Sequence, residues 1–138
     1  YYAMTRTAVL RMLDHECEGS VVNFSSIYGM QAPDFSIYDG TDMTSPVEYA
    51  ILKAGLLNFT RYLASYLGAY EIRVNGVSPG GVFDGQRERF IENYERNVPL
   101  GRMAEPEDVL GAVVYLLSDA ASYVTGHNLV VDGGWTIK

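Results

Sequence analysis

Ser45-Pro-Val-Glu-Tyr49-Ala-Ile-Leu-Lys53-Ala-Gly55 sets a tyrosine and a lysine four residues apart at the start of an apolar run. Ser45 reads as an N-cap, Pro46 fits the first helical position, and Glu48 completes a capping box three residues after the cap. In a helix that begins here, residues i and i+4 share a face, so the Tyr49 phenol and the Lys53 ammonium lie side by side. A free phenol titrates near ~10 and is a poor proton donor at neutral pH. A neighbouring cation favours its anion. Such a pair can move a proton on or off an alcohol or carbonyl oxygen. The same spacing also occurs as a plain surface pair on many helices, so the surrounding chain has to decide.

Upstream, Tyr2 to Cys17 has helical spacing, with Met4, Ala8, Leu10, Met12 and Leu13 interrupted by Arg6, Arg11 and Asp14. Ser20-Val-Val-Asn-Phe-Ser25 is short and β-branched, as a buried strand is, and it runs into the turn Ser26-Ile-Tyr-Gly29. In open α/β sheets, ligands bind at this carboxyl end of a strand. Met30 to Thr44 is irregular and long, which points to a functional loop, and its apolar residues predict that it packs on something. Downstream, Pro46 to Leu67 reads as a helix too apolar for one face, with a stripe at Leu52, Leu56, Phe59, Leu63 and Tyr66 and Gly68 as its C-cap. Glu71 to Ser78 is the next strand, closed by Pro79-Gly80-Gly81. Short helices are predicted over Gln86 to Arg96 and Pro106 to Leu117, and a last strand over Asn128 to Asp132. Helix, strand, helix, strand, helix, strand predicts an α/β fold with parallel strands and crossover helices.

Composition narrows the function. The chain has 138 residues, 48% hydrophobic and 20% charged, with a net charge of -7. Scattered Lys and Arg in an acidic chain argue against a nucleic-acid footprint or an anionic membrane surface. No apolar run reaches the ~18 residues of a membrane span, and no signal peptide is visible. One cysteine, Cys17, fits a reducing, cytoplasmic compartment and reads as an ordinary helix residue. One Cys and two separated His residues predict no metal site. The first residue is Tyr1, inside a helical pattern, so the chain reads as part of a longer protein.

Taken in order, Val22-Asn-Phe-Ser-Ser26-Ile-Tyr-Gly29, Tyr49-x-x-x-Lys53-Ala-Gly55, Ile72-Arg-Val-Asn75 with Ser78-Pro-Gly80, Gly101-Arg-Met-Ala-Glu-Pro106-Glu-Asp108, and Tyr123-Val-Thr-Gly126 with Val131-Asp-Gly-Gly134 form one set. The set resembles the C-terminal half of the short-chain dehydrogenase/reductase family and covers essentially the whole chain. The resemblance implies that residues 1–138 are the C-terminal portion of a single doubly wound Rossmann domain. It places the Gly-rich phosphate turn, the residue that chooses NAD or NADP, and the tetrad asparagine upstream of Tyr1.

For the residues present, the resemblance implies that Ser26 hydrogen-bonds the reacting oxygen, Tyr49 is the general acid-base, and Lys53 supports Tyr49 and binds the nicotinamide ribose. Pro79, Gly80 and Val82 match the segment beside the nicotinamide of NAD or NADP. Ser25 points to the other strand face and suits backbone capping; Asn75 matches a structural position. Where the family often has a threonine touching the cofactor carboxamide, this chain has Asp84, which either faces substrate or caps the following helix.

The implied activity is hydride transfer between nicotinamide and an alcohol or ketone. The interval from Ser26 to Tyr49 is longer than the family's common spacing, and Gln31, Asp34, Tyr38, Asp39 and Thr41 are expected over the site with Tyr28. That polarity points to a sugar or sugar-phosphate substrate and to carbohydrate metabolism, with a likeness to members from bacterial surface-sugar pathways. The alternatives are a 3-oxoacyl-type reductase and a non-catalytic scaffold of the same fold. Arg87, Arg89 and Arg96 either meet a substrate phosphate or form a solvated face. The apolar helices imply a homodimer or homotetramer.

Overall fold

The computed structural model describes residues 1–138. Helix α1 (Tyr2–Asp14) leads into strand β1 (Gly19–Phe24), helix α2 (Val47–Leu67) into β2 (Ile72–Pro79), and helices α3 (Glu88–Glu95) and α4 (Pro106–Leu117) into β3 (Asn128–Val131). The strands form one parallel sheet in the order β1-β2-β3, with Gly19 opposite Ile72, Phe24 opposite Val77, and Gly76 opposite Asn128. Parallel register brings the chain segments after β1, β2 and β3 to one edge of the sheet, and the candidate site is built there.

Strand β2 is the centre of the layers. Its side chains alternate between faces. Ile72 and Val74 pack with Val9 of α1 and with Ala64 and Leu67 of α2, while Val77 packs with Val109 and Leu116 of α4. Both faces of β2 are covered, which accounts for its apolar composition. β1 is half-buried, and Phe24 is exposed. A third cluster of Ile27, Ile37, Phe90, Tyr94, Val98, Met103 and Trp135 sits beyond the carboxyl ends of the strands.

The start of α2 differs from the sequence reading. Pro46 has ψ 142 and is the N-cap, and no side chain caps the helix. An extended proline moves the first helical turn one residue on, so Ser45 falls outside capping reach and the Ser45–Glu48 box does not form. The end of α2 differs too. Gly68 is right-handed and continues into a 3₁₀ turn, and Glu71 takes the left-handed conformation with φ 57. The buried face of α2 is Lys53, Leu56, Leu57, Thr60, Ala64 and Leu67; Leu52 and Tyr66, expected in the core stripe, are exposed.

At the start of α4, Arg102 meets Asp108 through two nitrogens at 2.6 and 2.9 Å, and the Asp108 carboxylate also accepts the Glu105 N–H at 2.8 Å. The Arg102 hydrogen bond first, then that of Glu105, lowers the Asp108 carboxyl from 3.8 to about 2. A depressed folded-state value contributes stability above the unfolded value and loses it as pH falls through the folded one. Between pH ~4 and pH ~2 the protein should therefore lose melting temperature faster than an Asp108→Asn variant. Parallel melts across that window check this, and identical slopes would refute it.

Candidate active site

The Ser26-x-x-Gly29 motif folds as a 3₁₀ turn over Ile27–Gly29, with Ser26 extended before it and its Oγ accepting the Tyr28 N–H at 3.2 Å. Alternation at the end of β1 sends the two serines to different tasks. Ser25 Oγ donates to the Lys53 carbonyl at 2.7 Å and so ties the turn to α2. Gly29 allows this close approach: a Cβ there would stand 2.7 Å from the carbonyl carbon and oxygen of Lys53 and from Ser25 Oγ. Helix backbone does not yield cheaply, so Gly29→Ala should cost about 1–3 kcal/mol. Denaturant unfolding measures that cost, and an unchanged midpoint would contradict the packing described.

One turn into α2, Tyr49 is 40% exposed and faces the cleft, whereas Lys53 is 7% exposed. The Lys53 Nζ lies 5.4 Å from the centroid of the Tyr49 ring. It donates to the Phe24 carbonyl at 2.9 Å and to the Tyr1 hydroxyl at 3.2 Å. An ammonium has three donors, so one stays free. The four ion pairs of the protein are Arg87–Asp42, Arg89–Glu92, Arg96–Glu92 and Arg102–Asp108. None involves Lys53, which is therefore a buried cation without a counter-ion. Such a group is costly to retain and marks a candidate functional site.

Ser26, Tyr28, Tyr49, Lys53, Pro79, Gly80 and Val82 all line one cleft of about 490 Å³. Its rim also carries Tyr38, Thr44, Ser45 and Gln86, and its apolar wall includes Ile27, Met43, Phe90 and Met103. Tyr28 meets Tyr49 edge to face, with ring centroids 6.5 Å apart. Burial, reinforced by the neighbouring Tyr38 phenol, pushes the Tyr28 phenol well above its ordinary range, so it stays a neutral hydroxyl.

Asp84 is exposed; it is not among the residues lining the cleft, and it does not cap α3, whose N-cap is Arg87. Left-handed Gly85 (φ 66) turns the chain there. Gln86 lines the cleft instead, accepting the Asp84 N–H at 2.8 Å and donating to the Val82 carbonyl at 2.9 Å.

The long loop is ordered, as expected, but of its polar side chains only Tyr38 and Thr44 line the cleft. Asp34 accepts from the Ser36 N–H and hydroxyl, and Thr41 donates to the Tyr38 carbonyl. Of the five polar loop residues expected over the site, only Tyr38 reaches the cleft. Arg89 of α3 and the flanking Arg87 and Arg96 pair with surface carboxylates. Asn75 holds the Val124 carbonyl and the His127 N–H, a structural role. No group of His, Cys, Asp and Glu residues is arranged to hold a metal. No helix is long and apolar enough to cross a membrane.

Sequence inspection missed Asn93, Tyr94 and Trp135. Tyr94 lines the cleft, Trp135 stacks on it at 4.5 Å, and Asn93 ties the long loop to α3. The one signal for them was the apolar i, i+4 spacing of Phe90 and Tyr94.

Comparison with known proteins agrees with this architecture. A family model described as enoyl-(acyl carrier protein) reductase matches residues 1–136. The post-translational flagellin modification protein A of Campylobacter coli is 43% identical over 117 residues, covering 85% of this chain and 46% of that protein. The ribulose-forming D-arabinitol 2-dehydrogenase of Scheffersomyces stipitis is 36% identical over 133 residues, covering 90% of this chain and 45% of that protein. A crystal structure of a short-chain dehydrogenase from Leptospira borgpetersenii with bound NAD+ superposes with a TM-score of 0.92 at 44% identity, covering 98% of this chain and 51% of that one. The chain spans about half the length of the curated relatives it matches. With a family model matched along nearly its whole length, and with the parallel sheet and the Ser26, Tyr49 and Lys53 motifs around one cleft, the chain belongs to the short-chain dehydrogenase/reductase family.

Proposed function

We propose that this chain forms the catalytic half of an NAD(P)-dependent oxidoreductase acting on an alcohol or ketone of a sugar, sugar phosphate or other polyol. Residues 1–138 are read as the C-terminal portion of one Rossmann domain in a cytoplasmic enzyme. The observation that carries the reading is Lys53: a buried cation with no counter-ion, one donor free, and the cleft-facing Tyr49 ring 5.4 Å away.

In this reading Ser26 donates a hydrogen bond to the reacting oxygen, and Tyr49 delivers its proton to that oxygen in reduction or removes it in oxidation. The ammonium of Lys53 stabilises the phenolate left behind. The free Lys53 donor, Tyr49, and the backbone of Pro79, Gly80 and Val82 would hold the nicotinamide end of the cofactor. The donor set suits that task, since a cation and a hydroxyl meet a ribose diol and the turn offers backbone groups to the edge of the ring. When bound, the nicotinamide supplies or accepts the hydride.

A polyhydroxylated substrate is supported by the hydroxyls and amide of Tyr28, Tyr38, Thr44, Ser45 and Gln86 on the cleft, and by the likeness to an arabinitol dehydrogenase. A 3-oxoacyl-type reductase is the second reading, favoured by the apolar wall of Ile27, Met43, Phe90 and Met103 and by the acyl-carrier description of the family model. A non-catalytic scaffold has no use for Ser26, Tyr49 and Lys53 together. The apolar groove of Tyr2, Leu10, Phe59, Tyr62 and Tyr66 between α1 and α2 supports a homodimer or homotetramer.

The test is nicotinamide absorbance on the intact gene product with NAD and NADP, across sugars, sugar phosphates and oxoacyl thioesters, with light scattering on the same preparation. Turnover on a polyol supports the reading, and turnover only on thioesters replaces it with the second. Cofactor binding with no turnover anywhere in the panel would favour the scaffold, and monomeric scattering would refute the assembly.

A further inference from the structure

The proposed chemistry leaves one buried group of the cleft unused. Tyr94 is 3% exposed, and its hydroxyl oxygen accepts the Gly81 N–H. Its ring stacks on Trp135 with centroids 4.5 Å apart and planes 13° apart. The contact is shaped from both sides. A Cβ on Gly80 would stand 2.8 Å from the Tyr94 hydroxyl oxygen, and one on Gly81 would stand 2.7 Å from its ring. The two glycines after Pro79 thus provide the space that the phenol fills. Burial pushes this phenol above its ordinary range, more than the Gly81 hydrogen bond pulls it down, so the acceptor is a neutral hydroxyl.

The other polar contacts of this turn run between backbone groups. The Gly80 N–H donates to the Val131 carbonyl at 2.9 Å, and the Gly81 carbonyl accepts from the Ala104 N–H at 2.9 Å. The Gly81 N–H alone is held by a side chain. A Gly-Gly pair has more backbone freedom than any other dipeptide, so the orientation of the peptide between Gly80 and Gly81 depends on that bond. The residue beside Tyr94 grips the opposite wall: Asn93 Nδ2 donates to the Ile37 carbonyl at 3.2 Å and to the Asp39 carbonyl at 3.0 Å. Helix α3 therefore holds the long loop with one residue and the Pro79–Gly81 turn with the next.

We propose that Tyr94 is a positioning residue whose hydroxyl fixes the Gly80–Gly81 peptide in the orientation that receives the nicotinamide end of the cofactor. This rests on the reading of the cleft given above. The bond is an ordinary neutral one, so its loss should weaken binding by about fivefold.

The test uses Tyr94→Phe in the intact protein, which keeps the ring stack and removes the acceptor. Amide hydrogen exchange at Gly81, measured without cofactor, should speed up. The dissociation constants of NAD and NADP, measured by calorimetry, should rise about fivefold for the cofactor that binds. The melting temperature should fall by no more than the loss of one neutral hydrogen bond explains, whereas a merely structural role would move stability and leave affinity alone. If the Phe variant does not fold, Gly81→Ala serves, because its methyl group displaces the phenol and should weaken cofactor binding in the same direction. Unchanged Gly81 exchange overturns the proposal, and so does faster exchange with unchanged affinity. If the unmodified protein binds neither cofactor, the reading of the cleft itself fails, which is a different result from a variant that matches it.

Discussion

Tyr49→Phe in the intact protein should lower kcat by about 10²–10⁴-fold, the range supplied by a positioned proton donor, and leave the fold untouched. The structure separates these two effects. Tyr49 is 40% exposed, and removing one hydroxyl takes away no packed volume. The Phe ring keeps the edge-to-face contact with Tyr28 and the face presented to Lys53. What the variant lacks is the proton that neutralises an alkoxide, or the base that removes it from an alcohol. The measurement is kcat with the best substrate of the panel, beside thermal melts of both proteins. Cofactor affinity should fall by no more than the loss of one hydroxyl contact, about tenfold or less, because the free Lys53 donor and the Pro79–Val82 backbone remain. Activity within tenfold of the unmodified protein would sink the assignment. Tyr28, the neutral phenol beside Tyr49, would then be the next donor to test.

The architecture was readable where local chemistry and packing agree. Proline at the first position and acids in the first turn marked α4, and its bounds are those expected, Pro106–Leu117. The Ser-x-x-Gly pattern picked out Ser26; both serines line the cleft, but the Ser25 hydroxyl is committed to the Lys53 carbonyl. Reading failed where one residue could satisfy two rules. Pro46 is acceptable at N1 or at the N-cap, and it took the second place, which released Ser45 to the cleft rim.

Polarity in the long loop misled for a general reason. An irregular backbone leaves donors and acceptors unpaired, and Asp34 and Thr41 satisfy those of their own segment rather than a ligand's. Asn93, Tyr94 and Trp135 were invisible because their partners lie far along the chain. Asn93 reaches back to Ile37 and Asp39, Tyr94 to Gly81, and Trp135 to Tyr94. No spacing rule encodes such contacts; they exist only once three loops meet at the carboxyl ends of parallel strands.

Lys53→Met in the intact protein should abolish turnover, by about 10²-fold or more, at little cost in stability. A buried Lys that held the fold together would behave in the opposite way. Lys53 contributes to folding by donating to the Phe24 carbonyl and the Tyr1 hydroxyl. Leaving an acceptor unpaired costs about 1–3 kcal/mol when it is fully buried, and the bond to the Phe24 carbonyl is only partly buried. Against that, methionine has a similar length and no charge, and a cation at 7% exposure with no carboxylate beside it has already lost much of its hydration. The two effects oppose each other, so the net change should stay within about 1 kcal/mol. The functional losses do not cancel. The phenolate formed at Tyr49 would have no counter-charge, and the one free donor of the ammonium would be gone. Cofactor affinity and kcat should therefore both fall steeply, whereas Tyr49→Phe lowers kcat far more than affinity. Denaturant unfolding, calorimetric titration with NAD and NADP, and steady-state rates on the same preparation decide the matter. A collapse in stability with cofactor affinity retained would make Lys53 a structural residue and remove the main support for the oxidoreductase reading.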